Sequence, residues 1–159
     1  MSQKKMCIML KGITIFAAIM GTVFLAVLMP ILALDCRREY EESAYLFWPG
    51  LCYGWIIGIM CYMALYQFWK ICVEIGRDNS FSVENIKSLN VISKLGLIIT
   101  VVWFVGIVGL IIIGSMSIGF FILMTVAVSV SLAVSIVTTV LAHLVQKAYE
   151  LKKEADLTI

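Results

Sequence analysis

Few side chains in this sequence can take part in proton transfer, nucleophilic attack or metal binding, and their spacing leaves little of that chemistry standing. There is one histidine, His143. A single imidazole cannot supply paired haem ligation, and at the end of a long apolar run it reads as an interfacial, hydrogen-bonded residue. The five cysteines are Cys7, Cys36, Cys52, Cys61 and Cys72. They make no Cys-x-x-Cys pair and no Cys/His set at metal-ligand spacing, so neither a zinc site nor an iron–sulfur cluster is expected. Cys7, Cys61 and Cys72 fall in or beside apolar runs, where a thiol packs as a small apolar group. Cys36 and Cys52 both fall toward the opposite side of those runs, and a bridge between them stays open because sequence carries no distance. No catalytic residue, metal or cofactor is expected, and the chain reads as a non-enzyme.

The elements that position these residues are set by segregation of charge. Of 159 residues 62% are hydrophobic and only 14% are charged, against about a quarter charged in an ordinary soluble domain, and the mean hydropathy is +1.04. No Asp, Glu, Lys or Arg occurs from Gly12 to Leu34, from Ser43 to Trp69, or from Leu95 to Gln146. The third run, 52 residues long, would reach roughly 78 Å as one helix against a hydrocarbon core of about 30 Å, so it must fold back. Its natural break is Gly114-Ser115-Met116-Ser117, because Gly and Ser supply turns. The expected fold is therefore all-α, a polytopic membrane protein of four transmembrane helices near 12–34, 45–70, 92–113 and 118–144, forming one four-helix bundle. The absence of ionisable groups deep in any span disfavours a proton-coupled transporter.

Ten of the 12 basic residues lie in the amino end, the loop 71–91 with its flanks, and the tail 145–159. With four spans those segments share one side, and the positive-inside rule makes it cytoplasmic, placing both termini inside a bacterial inner membrane. The apolar run after Met1-Ser2-Gln3-Lys4-Lys5 is 23 residues long. It exceeds a signal-peptide core of about 7–15, and Leu32 and Leu34 stand where cleavage before Asp35 would need small residues, so it reads as an uncleaved first span.

Small residues in the spans are spaced for packing. Gly50, Gly54 and Gly58 recur at intervals of four, and Ala127, Ser131, Ser135, Thr138 and Ala142 form a second narrow stripe. Such stripes bring helices into close contact where lipid supplies no hydrophobic drive; a homo-oligomer face or a substrate groove is the other use they allow. Pro30 and Pro49 fall near the outer ends of the first two spans, where proline kinks or begins a helix.

The one dense polar segment, "EIGRDNSFSVENIKSLN" from Glu74 to Asn90, reads as a cytoplasmic hairpin. Gly76 ends one helix, Ser82 caps the next with Glu84 in its first turn, and Phe81 is placed to staple against Ile86. Lys70 and Glu74 are spaced as a helical ion pair. The tail continues as a helix with Leu144, Ala148, Leu151 and Ala155 on one face.

The loop "FWKICVEIGRDNSFSVENIKSLNVI" and the ending "LAHLVQKAYELKKEADLTI" resemble the bacterial membrane family named domain of unknown function 2975. The likeness rests on Gly76, Phe81, Ser82 and Asn85 in the loop and on Glu154, Asp156, Leu157, Thr158 and Ile159 at the end. It implies a small four-span inner-membrane protein, in a family often encoded beside a short helix-turn-helix regulator and without an established activity. Two functions follow as expectations. One is a non-enzymatic sensor or anchor, embedded in the lipid bilayer, whose loop and tail bind a cytosolic protein such as that regulator; direct nucleic-acid binding is not expected. The other is a small transporter or bacteriocin-resistance protein. The orientation is tested first: alkaline phosphatase fused to the carboxyl end should be inactive, and a periplasmically active fusion would reverse the topology.

Overall fold

A computed structural model of the chain describes residues 3–31, 33–34, 45–77 and 79–157. Among them there are helices and no strands: α1 (Gln3–Val23), continued by a π-helical turn (Phe24–Leu28), α2 (Phe47–Gly76), α3 (Val83–Ile113) and α4 (Ile118–Leu157). Four segments are long and apolar enough to cross a membrane: Cys7–Ile31, Phe47–Gly76, Val83–Ile113 and Ile118–Ala155. Each helix runs past its apolar run, so the polar flanks continue helices instead of forming loops.

Local chemistry sets the boundaries. The π turn stands immediately before Pro30, and the Met29 N–H donates to the Phe24 carbonyl, five residues back. Proline has no N–H and its ring crowds the carbonyl four residues earlier; widening the preceding turn relieves that clash without breaking the helix. Pro49 sits in the first turn of α2, where its missing donor has no intrahelical partner to lose. Gly114 ends α3 at φ 76°, and its N–H and that of Ser115 bond the Ile111 and Leu110 carbonyls at 3.1 and 3.2 Å. Only glycine takes that backbone region freely, so the 52-residue run folds back there.

Among the described residues, close backbone approach joins helices adjacent in sequence, α1 to α2, α2 to α3 and α3 to α4. The four helices therefore meet as a row. The reason is where notches occur: each consecutive pair has its own glycine contact, while the other faces carry long Ile, Val, Leu and Phe side chains suited to lipid. A single cluster gathers three helices at the hairpin end, with Ile71 of α2, Leu89 and Ile92 of α3 and Ala142 of α4 buried together and Phe68, Ile75 and Val145 around them.

On α2, a side chain at Gly54 would collide with the Met29 Cε atom, and one at Gly58 would stand 2.8 Å from Leu25 Cδ2. Gly50 differs, since a Cβ there meets nothing within 4 Å among the described residues; the periodic stripe is longer than the contact they show. Between α2 and α3, the Tyr53 hydroxyl donates to the Val102 carbonyl and its ring lies over Gly106, where a Cβ would come within 2.9 Å of Cζ. Trp103 meets that ring edge-on at 6.0 Å. Between α3 and α4 the notch is Gly96, whose Cβ would stand 3.2 Å from both the Ser131 carbonyl oxygen and Ser135 Cβ.

These notches rank substitutions. Overpacking costs about 1–3 kcal/mol where neighbours cannot move, so Gly96→Leu, against backbone, should lower the melting temperature in detergent most; Gly54→Leu, against the flexible end of Met29, should lower it less, and Gly50→Leu should leave it unchanged. Equal melting of all three with wild type would remove the notches from the account of stability.

Candidate functional site

The polar hairpin closes on itself through one carboxylate. Glu74, one turn before the end of α2, accepts from Arg77 Nη1 at 3.3 Å through Oε1 and from Asn79 Nδ2 at 3.2 Å through Oε2. Its backbone carbonyl accepts from the Arg77 and Asn79 N–H groups, both at 3.1 Å. This differs from the Lys70–Glu74 pair expected from spacing. Lys70 instead lies over the Tyr66 ring, 4.8 Å from its centroid, because the turn brings two donors to Glu74 from beyond the helix end. The Arg77–Glu74 ion pair is exposed on the arginine side and adds little stability by itself; its value is in fixing the turn.

Ser82 has extended backbone at φ −119° and ψ 156°, and its Oγ accepts from the Asn85 N–H at 3.2 Å. That satisfies one of the first N–H groups of α3, with Glu84 in the positive first turn. Asn85 stands at the third helical position, where a capping box would carry Glu or Gln. Its side chain turns the other way, donating from Nδ2 to the Ser80 carbonyl at 2.9 Å and the Asn79 carbonyl at 3.4 Å. Only 2% of Asn85 is exposed, and its Oδ1 is buried without a donor among the described residues. Asn79 thus links Glu74 of α2 to Asn85 of α3, and the hairpin is locked by polar bonds over the Ile71–Leu89–Ile92–Ala142 cluster. Phe81, placed to staple the turn, stays 48% exposed.

Gly76 is helical without a positive φ; among the described glycines only Gly114 has one. What requires glycine at 76 is α1. A Cβ there would stand 2.7 Å from Cys7 Sγ, and that thiol donates to the Cys72 carbonyl at 3.0 Å. The amino end of α1 is thereby pinned to the hairpin end of α2. Cys36, the other half of the bridge considered with Cys52, lies outside the described residues.

The second stripe lines the α3–α4 seam. Ser93 Oγ donates to the Ser135 carbonyl at 3.1 Å and Ser135 Oγ donates back to the Ser93 carbonyl at 2.9 Å. Thr100 Oγ1 and Ser131 Oγ share a bond of 2.8 Å. Ala127 is half-buried on the same side of α4. Sequence reasoning placed Ser131 and Ser135 on a packing face but missed their partners Ser93, Gly96 and Thr100, which are spaced three and four residues apart. The available signal was Gly96 itself, a glycine in an apolar helical run.

The seam also fixes where α4 goes. Ser93 faces Ser135 in an antiparallel pair, so Val83, ten residues earlier, comes level with Val145. From there α4 continues to Leu157, roughly 18 Å beyond the start of α3. In this extension the buried side runs through Ala142 to the half-buried Val145 and Ala148, while Leu144 and Leu151, expected on one face with Ala148, are exposed. Glu154 and Leu157 are also exposed; the side chain of Asp156 and all of Thr158 and Ile159 lie outside the described residues.

Four membrane-length helices, an apolar lipid-facing surface and a polar hairpin define a multi-pass helical membrane protein. Residues 31–159 match the family model described as Protein of unknown function (DUF2975), and the chain belongs to that family. It is 25% identical over 157 residues to the uncharacterized membrane protein YoaS of Bacillus subtilis (strain 168), covering 98% of this chain and 94% of that protein. No solved structure matches the chain.

No group of three or more His, Cys, Asp or Glu among the described residues could hold a metal. What it does is hold a rigid polar hairpin beside a projecting helix. Ser82→Ala should cost about 1 kcal/mol through loss of the cap. Asn85→Asp should cost more, about 3 kcal/mol, because a carboxylate replaces the donor facing two carbonyl oxygens. Thermal melts in detergent should order them wild type, Ser82→Ala, Asn85→Asp.

Proposed function

We propose that this protein is a non-enzymatic membrane anchor or sensor whose cytoplasmic hairpin and tail hold a cytosolic protein, a small helix-turn-helix regulator being the candidate. The observation that carries the reading is the unequal ending of α3 and α4. The hairpin is locked by Glu74, Asn79, Ser82 and Asn85, yet α4 runs on past it with Leu151 and Leu157 exposed among charged residues. Spanning the membrane does not require that extension, and an exposed amphipathic helix next to a rigid polar turn is a surface for another protein. The basic residues gathered at that end support its cytoplasmic placement.

Transport, or resistance to a bacteriocin acting through the spans, draws less support. Helices in a row give no common interior for a pathway, and the cavities are open grooves, one between α1 with its π-helical turn and α2 and one along α2 alone.

Deleting residues 152–159 separates the readings, since those residues lie beyond the α3–α4 seam. The truncated protein should insert and melt as wild type does but lose binding of a purified small helix-turn-helix regulator encoded beside it, measured in nanodiscs. Equal binding by truncated and full-length protein would remove the tail from the contact.

A further inference from the structure

Two lysines stand at the hairpin end of the α1–α2 seam without a carboxylate among the described residues. Lys11 Nζ lies 5.5 Å from the centroid of the Trp69 ring, and Lys70 Nζ lies 4.8 Å from that of Tyr66. The acid one turn beyond Lys70 is Glu74, and both its oxygens are taken by Arg77 and Asn79. An aromatic face holds an ammonium group in place but leaves its charge uncompensated.

Beside Lys70, whose ammonium lies over Tyr66, an open groove along α2 is walled by Ile59, Met63, Tyr66 and Gln67. A second groove, between α1 with its π-helical turn and α2, is walled by Thr22, Leu25, Ala26 and Trp55, and Tyr62 lines both. The Tyr62 hydroxyl is turned onto the Ala18 carbonyl at 2.8 Å, so its donor is spent on α1 and its ring faces the grooves. From Trp55 to Lys70 the helix rises about 22 Å, more than the roughly 15 Å depth of one leaflet. A cationic mouth beside grooves of leaflet depth matches an anionic amphiphile.

We propose that this seam binds an anionic phospholipid, with its phosphate between Lys11 and Lys70 and one acyl chain along Tyr66, Met63, Tyr62 and Trp55. Charge complementarity selects this occupant. Basic pockets between spanning helices on the cytoplasmic side take acidic headgroups, whereas a second copy packed here about a two-fold axis would set Lys11 and Lys70 against their own counterparts at the same depth.

Native mass spectrometry of the full-length protein in detergent tests this, with phosphatidylglycerol and phosphatidylcholine of identical chains supplied at equal concentration. Wild type should retain phosphatidylglycerol over phosphatidylcholine by roughly fivefold or more, the order of one to two lysine contacts near a membrane surface. The Lys11→Gln/Lys70→Gln double variant should bring that ratio to about one, and Lys11→Arg/Lys70→Arg should restore it. Lys152→Gln/Lys153→Gln, which removes two tail charges, should leave it unchanged. Met63→Trp, which fills the groove, should reduce retention of both lipids. Equal retention of the two lipids by wild type, a preference surviving in the glutamine double variant, or a lipid-free dimer as the species formed would each overturn the site. Matching melting temperatures of wild type and the glutamine variant establish that the comparison is between folded proteins.

Discussion

Inside a bilayer, apolar surface gains almost nothing by leaving lipid for protein, so helices stay together only where their backbones come close or their polar groups meet. This protein meets that constraint with glycine notches, one set at each consecutive interface. Met29 and Leu25 of the first helix enter at Gly54 and Gly58, Tyr53 of the second enters at Gly106, and the serines of the fourth close on Gly96. No notch joins helices that are not neighbours in sequence, and the row follows from that. A fold held pairwise needs no central core, consistent with how little of each span is buried.

The three interfaces are not equivalent. Between α1 and α2 the knobs are flexible side chains, which can shift. Between α3 and α4 the backbone itself is the neighbour, and reciprocal Ser93–Ser135 bonds with the Thr100–Ser131 bond are added. Interhelical hydrogen bonds in membranes are worth about 0.6 kcal/mol each, so their larger effect is on register. Sliding the pair by one residue would strand several hydroxyls and press Gly96 against a larger side chain.

Much of this was legible in the sequence, for identifiable reasons. Uncharged runs and the Gly114–Ser117 break determine the spans, because desolvating charge is costly and a left-handed turn residue must be glycine or nearly so. Ser82 was legible as a cap because its role depends on residues three positions away. Contacts between helices were not. Gly50 and Gly54 look alike along the chain, and only the side chain of Met29 against Gly54 separates them; Leu144 and Ala142 likewise differ by which side of α4 meets α3. Glu74 was misassigned to Lys70 because helical spacing says nothing of donors brought back by the turn beyond.

The same inequality among the interfaces bears on how the two ends of the molecule are coupled. α4 is one helix of 40 residues from the turn to the tail, and a continuous helix carries a displacement along its length. Its grip on α3 is the most specific in the molecule, and the hairpin that begins α3 is locked to α2 through Asn79 and Glu74. The tail is thus the continuation of the helix whose register is fixed by the Ser93–Ser135 and Thr100–Ser131 bonds, and its position relative to the hairpin follows from that register.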